Sequence, residues 1–343
     1  MVDNAPHQIG RAPRWPRTRS GLRARQRLRT TVAVACLLPF GLACSNNGRE
    51  TSDTTAALKT DLPDVVVTYS VLASFVGDLV RGKADVVTIV PDGQDPHGFE
   101  PSAKDVEALN NADLVVANGL DLEAGLDGAL SSAAEAGTPV FLMSDHVTIA
   151  ELSDVSDHSS HGHSHSGGDS GDSHEQGKDP HMWLSPATML EALPALTKAA
   201  SEALGTDLSA ASETLEAELR EVDADLSVMF SDLDKCELVT GHNELGYFAR
   251  RYGCKVVATI LPSSSTSADE SARAVEFVID VVATHDVDVI FPSLGSSRAV
   301  AEQVANETGV RLVEINTHFL GGAKSYADFI RALGTTLAEG LRS

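Results

Sequence analysis

From Asp64 onward the chain alternates between two hydrophobic rhythms. A β-branched run, Val65-Val66-Val67-Thr68-Tyr69-Ser70, is followed by apolar residues at helical spacing: Leu72, Phe75, Val76, Leu79 and Val80. The first pattern reads as a buried strand and the second as the inner face of a helix. The rhythm continues with a strand at Asp85–Val90, a helical pattern at Ser102–Asn110 and a strand at Asp113–Ala117. A further helical stretch leads to a strand at Pro139–Met143. Strands alternating with helices predict parallel sheets built from βαβ units. Residues 153–179 break the pattern, being Ser, Gly, Asp and His with almost no apolar side chains, and read as a low-complexity loop. Pro186–Phe230 is almost wholly helical in pattern, with a break and fresh cap at Gly205-Thr206-Asp207. Its second piece, about Ser209–Asp232, predicts a helix of some 35 Å at ~1.5 Å per residue. The βα rhythm then resumes, with strands at Glu237–Thr240, Lys255–Ala258, Val287–Phe291 and Arg311–Ile315.

The expected fold is therefore α/β: two lobes with parallel central sheets, joined by a long rigid helix. The lobes fall at 61–183, which carries the loop 153–179, and at 235–343, with 184–234 as the helical linker.

The N-terminus reads differently. Eight arginines lie between Arg11 and Arg29, followed by the mostly apolar run Thr31–Ala43. A basic stretch before a short apolar one predicts a secretory signal over 1–43. The run is shorter than the ~20 residues of a spanning helix, which disfavours a true anchor helix. It ends at Gly41-Leu42-Ala43-Cys44, which resembles a bacterial lipoprotein cleavage box with Gly41 in the place usual for leucine. Cys44 is the lipidation candidate. An acylated terminus tethers a protein to a membrane without spanning it, and residues 44–60 then read as a flexible tether.

The chain carries a formal charge of −23. Cleavage before Cys44 removes eight basic residues and one acid, leaving 18 basic against 48 acidic, or −30. Such a surface repels nucleic acid and attracts cations. Apart from Cys36 in the leader and the lipidation candidate Cys44, only Cys236 and Cys254 remain, each just before a strand-like run. An even pair in an exported protein is a disulfide candidate, and adjacent parallel strands would bring the two together. Two buried free thiols are the alternative.

Four histidines lie where strands end or helices begin, the position at which α/β folds gather ligands. They are His97 in Asp95-Pro96-His97-Gly98-Phe99-Glu100-Pro101, His181 in Asp179-Pro180-His181-Met182-Trp183-Leu184, His242 in Gly241-His242-Asn243-Glu244, and His318 in Thr317-His318-Phe319-Leu320-Gly321. A lone loop histidine is more often an ordinary polar residue. A repeated Asp-Pro-His is harder to dismiss: proline fixes the backbone beside the ligand, and the aspartate is placed to orient the imidazole. His146 and His285 lie outside these motifs and read as ordinary surface residues.

The set resembles the metal-binding solute receptors of ABC importers for zinc and manganese, the cluster A-I receptors, over about residue 62 to the C-terminus. The resemblance rests on His-x-Phe-Glu-Pro at His97, Pro-His-x-Trp-Leu at His181 and Gly-His in a strand–helix turn at His242. It implies a metal held between the lobes by His97, His181, His242 and a fourth ligand, and delivery to a membrane permease. The family usually places a carboxylate at that fourth position, where this sequence has His318. His318 is the favoured ligand, with Glu244, Asp95, Glu100 or a water as alternatives.

Neutral imidazoles suit tetrahedral Zn²⁺, whereas Mn²⁺ prefers more oxygen. The expectation is thus a monomeric, extracytoplasmic Zn²⁺ receptor, lipid-anchored or periplasmic, that carries the ion as cargo. A manganese receptor of the same type is the first alternative. A surface adhesin is another, without a supporting feature. A zinc hydrolase is disfavoured because no His-Glu-x-x-His helix is present and a fourth histidine closes the site. His158, His161, His163, His165 and His174 read as a weak, mobile metal-binding tract near the cleft, or as a solvated insertion.

Overall fold

The computed structural model describes residues 62–152, 177–261, 266, 272–293 and 296–342, all within one compact unit. The N-terminal lobe opens with β1 (Asp64–Tyr69), α1 (Ser70–Val80), β2 (Asp85–Val90) and α2 (Ala103–Asn111). It continues with β3 (Leu114–Ala117), α3 (Asp127–Ala136) and β4 (Val140–Leu142). Its four strands are parallel and ordered β2-β1-β3-β4. The apolar runs Val65–Val67 and Leu114–Ala117 are buried on both faces, as parallel sheets covered by helices require.

Two helices follow, α4 (Pro186–Leu204) and α5 (Ser209–Ser231). Ser185 caps α4, its hydroxyl accepting from Thr188 N at 3.3 Å, and Pro186 occupies the first helical position, where its missing N–H costs nothing. Gly205, at φ +61°, ends α4. The helical region is thus two helices packed side by side. α5 reaches both lobes, lying against α1 on one side and α6 (Gly246–Tyr252) and α9 (Tyr326–Arg342) on the other. Asp223 of α5 fastens this joint by accepting from Arg251 Nε at 2.8 Å and from the Tyr252 hydroxyl at 3.1 Å.

The C-terminal lobe contains β5 (Glu237–His242), β6 (Lys255–Leu261), α7 (Ala272–His285), β7 (Val289–Ile290), α8 (Arg298–Thr308) and β8 (Arg311–Leu312). β5 pairs with β6 and β7 with β8, all parallel. A bridge between Thr240 and Phe291, with Phe291 N donating to Val239 O at 2.8 Å, joins the two pairs. The resulting order, β6-β5-β7-β8, repeats that of the first lobe without any sequence repeat. Cys236 and Cys254 precede the paired strands β5 and β6 and form a disulfide, with Cα atoms 4.7 Å apart.

Strand bounds differ from the sequence reading at the site. β5 extends to His242, which pairs with Leu261, so this histidine ends a strand rather than sitting in the turn beyond it. Gly241 permits this: a Cβ there would lie 2.7 Å from the Ser293 and Ser296 side chains. β7 and β8 are shorter than their apolar runs, because Phe291 and Val313 keep only single ladder contacts.

Candidate metal centre

Each of the four motif histidines is placed by a different local device. His97 lies on a one-turn helix, Pro96–Gly98, after β2, and the Asp95 carboxylate accepts from His97 N at 3.0 Å. Asp95 therefore fixes the backbone of His97 and not its ring, contrary to the expected role. Asp179 does both for His181, accepting from the backbone N at 2.9 Å and facing ring Nδ1 at 2.8 Å. His242 closes β5, where its carbonyl accepts from the Thr240 hydroxyl at 2.7 Å. His318 sits in a loop after β8 that turns at Gly321 and Gly322, φ +60° and +92°. That loop is pinned from the other lobe, where Asp92 accepts from Leu320 N at 2.5 Å.

The fold gathers these four rings and no other described histidine. Their centroids are 5.1 to 5.8 Å apart, and one ring nitrogen of each lies within 4.8 Å of the others. His181 Nε2 is 3.3 Å from both His97 Nε2 and His242 Nε2. A tetrahedron of nitrogens ~2.0–2.1 Å from a central ion has edges of about 3.3 Å. Among the described residues His318 Nε2 is buried with no hydrogen-bond partner, the condition of a lone pair awaiting a ligand.

Burial sets the electrostatics. His181, His242 and His318 are fully enclosed and His97 is part-buried. Burial, reinforced by the neighbouring His181, lowers the His97 pKa to about 3. Burial and the adjacent rings likewise hold His242 and His318 well below the ordinary histidine value. Neutral imidazoles are the form that binds a metal.

The alternative fourth ligands lie elsewhere. Glu100 is exposed, and the second Asp95 oxygen accepts from the Thr266 hydroxyl at 2.5 Å. Glu244 is buried behind the cluster, opposite the Nδ1 edges of His242 and His318. Burial raises its pKa to about 7, against the lowering effect of bonds from Ser293 and Thr317.

Trp183, quoted in a motif but given no role from sequence, supports the cluster from behind. Its ring lies 5.3 Å from His181 and 5.7 Å from His318. Its Nε1 donates to Thr317 O at 2.7 Å, and its carbonyl accepts from the Tyr326 hydroxyl at 2.8 Å. Ser293, 51 positions after His242, joins the site although nothing in its sequence surroundings marks it.

Residues 65–340 match the family model described as zinc-uptake complex component A, periplasmic. The chain belongs to this family. Relatives of this zinc-uptake component include the high-affinity zinc uptake system protein ZnuA of Bacillus subtilis, 28% identical over 295 residues, covering 83% of this chain and 86% of that one. Another is the iron ABC transporter substrate-binding lipoprotein MtsA of Streptococcus pyogenes serotype M1, 26% identical over 284 residues and covering 78% and 82%. Among solved structures, the periplasmic zinc-binding protein TroA from Treponema pallidum superposes with a TM-score of 0.70 at 23% identity, covering 82% of this chain and 99% of that one. That likeness establishes the two-lobed fold for this member of the zinc-uptake family.

His158, His161, His163, His165, His174 and Cys44 lie outside the described residues. The tract's flanks are described. Glu151 and Lys178 form an antiparallel bridge, Leu152 N donates to Gly177 O at 2.9 Å, and Asp179 N donates to Ala150 O at 2.8 Å. The chain thus leaves and returns at one point, three residues before His181. Among the described residues no helix is long and apolar enough to cross a membrane.

Proposed function

We propose that this chain is an extracytoplasmic receptor that captures Zn²⁺ through His97, His181, His242 and His318 and passes it to an ABC permease. The observation that carries the reading is the all-nitrogen cluster, with Nε2 atoms 3.3 Å apart and His318 Nε2 without any other partner. Among the described residues no carboxylate competes for the inner positions, which favours zinc over the oxygen-seeking Mn²⁺. Family membership supports the transport role, and the relative named for iron makes metal identity a matter for titration. The receptor acts by binding and release, so no turnover is required.

The same reading places residues 1–43 as the exported leader, Cys44 as the lipid-bearing terminus, 44–60 as tether and the mature protein as a monomer on the outer face of the cytoplasmic membrane. The lobes divide at 61–183 and 235–343 about the 184–234 helices. The histidines of 158–174 supply a weaker, separate store of ions beside the cleft.

Competitive titration of the mature protein against a chelator tests the reading, with and without residues 157–175. One tight Zn²⁺ site survives loop deletion, and His318→Ala weakens it by more than the ~10–100-fold that outer partners of ligands are worth. Loss of all tight binding on loop deletion would remove the cleft as the site.

A further inference from the structure

Glu244 is fully enclosed, and neither of its oxygens reaches the centre of the histidine cluster. Both oxygens instead face the outer edges of two rings. Oε1 lies 3.5 Å from His242 Nδ1 and Oε2 lies 3.6 Å from His318 Nδ1. With Nε2 turned inward, each Nδ1 carries the proton and must donate it. Among the described residues His242 Nδ1 is buried and makes no hydrogen bond, and the carboxyl it faces is that of Glu244. His318 Nδ1 lies 2.9 Å from the Thr317 hydroxyl, which itself donates to Glu244 Oε2 at 2.5 Å. The Ser293 hydroxyl donates to Oε1 and holds the carboxyl group from its other side.

We propose that Glu244 is the positioning residue for both C-terminal-lobe ligands: it faces His242 directly and reaches His318 through Thr317. The inference rests on the four-imidazole reading above. It divides the support for the site between two enclosed carboxyls: Asp179 orients His181, and Glu244 orients the other lobe's pair. A ligand ring is tied to a carboxylate because the bond fixes its tautomer and plane and raises the basicity of the metal-facing nitrogen. One side chain serving two ligands also ties their planes to each other, across 76 positions of sequence. The two rings stack at 29° with centroids 5.1 Å apart, the only near-parallel pair in the cluster.

The test is Zn²⁺ affinity by chelator competition, together with the visible absorption spectrum of the Co²⁺-loaded protein. Glu244→Gln keeps the shape and weakens Zn²⁺ by about 10–100-fold, with altered Co²⁺ bands. Thr317→Val weakens binding in the wild type but adds nothing once His318→Ala is present. Glu244→Gln still weakens binding in that background, because His242 remains. Affinity within about threefold of wild type and an unchanged Co²⁺ spectrum for Glu244→Gln would overturn the inference, since the outer partner would then be worth less than its usual range. Equal effects of Thr317→Val with and without His318 would overturn it as well. If Glu244→Gln does not fold by circular dichroism, the Thr317–His318 cycle alone decides. His242→Ala separates the two readings. If it leaves Zn²⁺ affinity unchanged, the four-imidazole site itself fails; if it abolishes binding while Glu244→Gln stays within about threefold of wild type, only the role of Glu244 falls.

Discussion

Four imidazoles whose nitrogens converge cannot all accept protons, and burial makes even the first proton costly. This gives the metal-free protein a definite acid response. An unfolded histidine titrates near 6.5, whereas folded His97 does so at about 3 and His242 and His318 also lie well below the ordinary value. Between those limits the unfolded chain binds protons that the folded one refuses, so stability is full above about pH 6.5 and falls as pH drops towards 3. Glu244, raised to about 7, acts in the opposite sense, as does buried Glu123, whose pKa burial also raises, so the contribution of the rings is read from the difference between wild type and a variant lacking two of them. Urea unfolding of the metal-free protein at a series of pH values from about 7 to 4.5 will show a falling midpoint, and His97→Ala with His318→Ala will flatten it. A flat wild-type profile would mean that the rings are not held neutral by burial. At this scale the sequence was most legible where chemistry is local: all four histidines stood out from their motifs. Ser293 and the bridging role of Glu244 did not, because they arise only when β5 and β7 meet.

Strand ends carry most of the positioning, and the apolar pattern located every strand while misjudging several ends. A run of apolar residues records burial; ladder pairing, which decides where a strand stops, depends on the neighbour. Thus β5 continues through Gly241 to His242, beyond its hydrophobic run, because Leu261 is there to pair with it. The disulfide was legible for a related reason, since each cysteine stands just before one of two adjacent parallel strands. It clamps the ends of β5 and β6 far from His242, which closes the opposite end of β5. The double substitution Cys236→Ser with Cys254→Ser should therefore cost about 3 kcal/mol of stability, the expected worth of a cross-link closing a loop of this length. Chemical denaturation measures that cost, and Zn²⁺ affinity should stay close to wild type. A large loss of affinity would show that the geometry of His242 depends on the far end of its strand.

For the molecule as a whole, one apolar core runs from Val65 of the first sheet and Phe75 of α1, through Leu219 and Leu226 of α5, to Phe248 and Leu337. Lobes that share a core this way resist hinging, since opening would expose packed side chains to water. Small-angle scattering of metal-free and Zn²⁺-loaded protein should then give radii of gyration within about 1 Å of each other, as for binding sites formed in advance. A larger compaction would place the hinge inside that core. The pinch formed by Ala150–Leu152 and Gly177–Asp179 has a different consequence. It sets the distance between the two ends of the intervening segment whatever that segment's length. The entropy of closing a loop rises only by ~0.6 kcal/mol per doubling of its length. The position therefore works as a socket: tracts of other lengths and compositions, or a fluorescent reporter, can be exchanged there while the frame that presents His181 stays as it is.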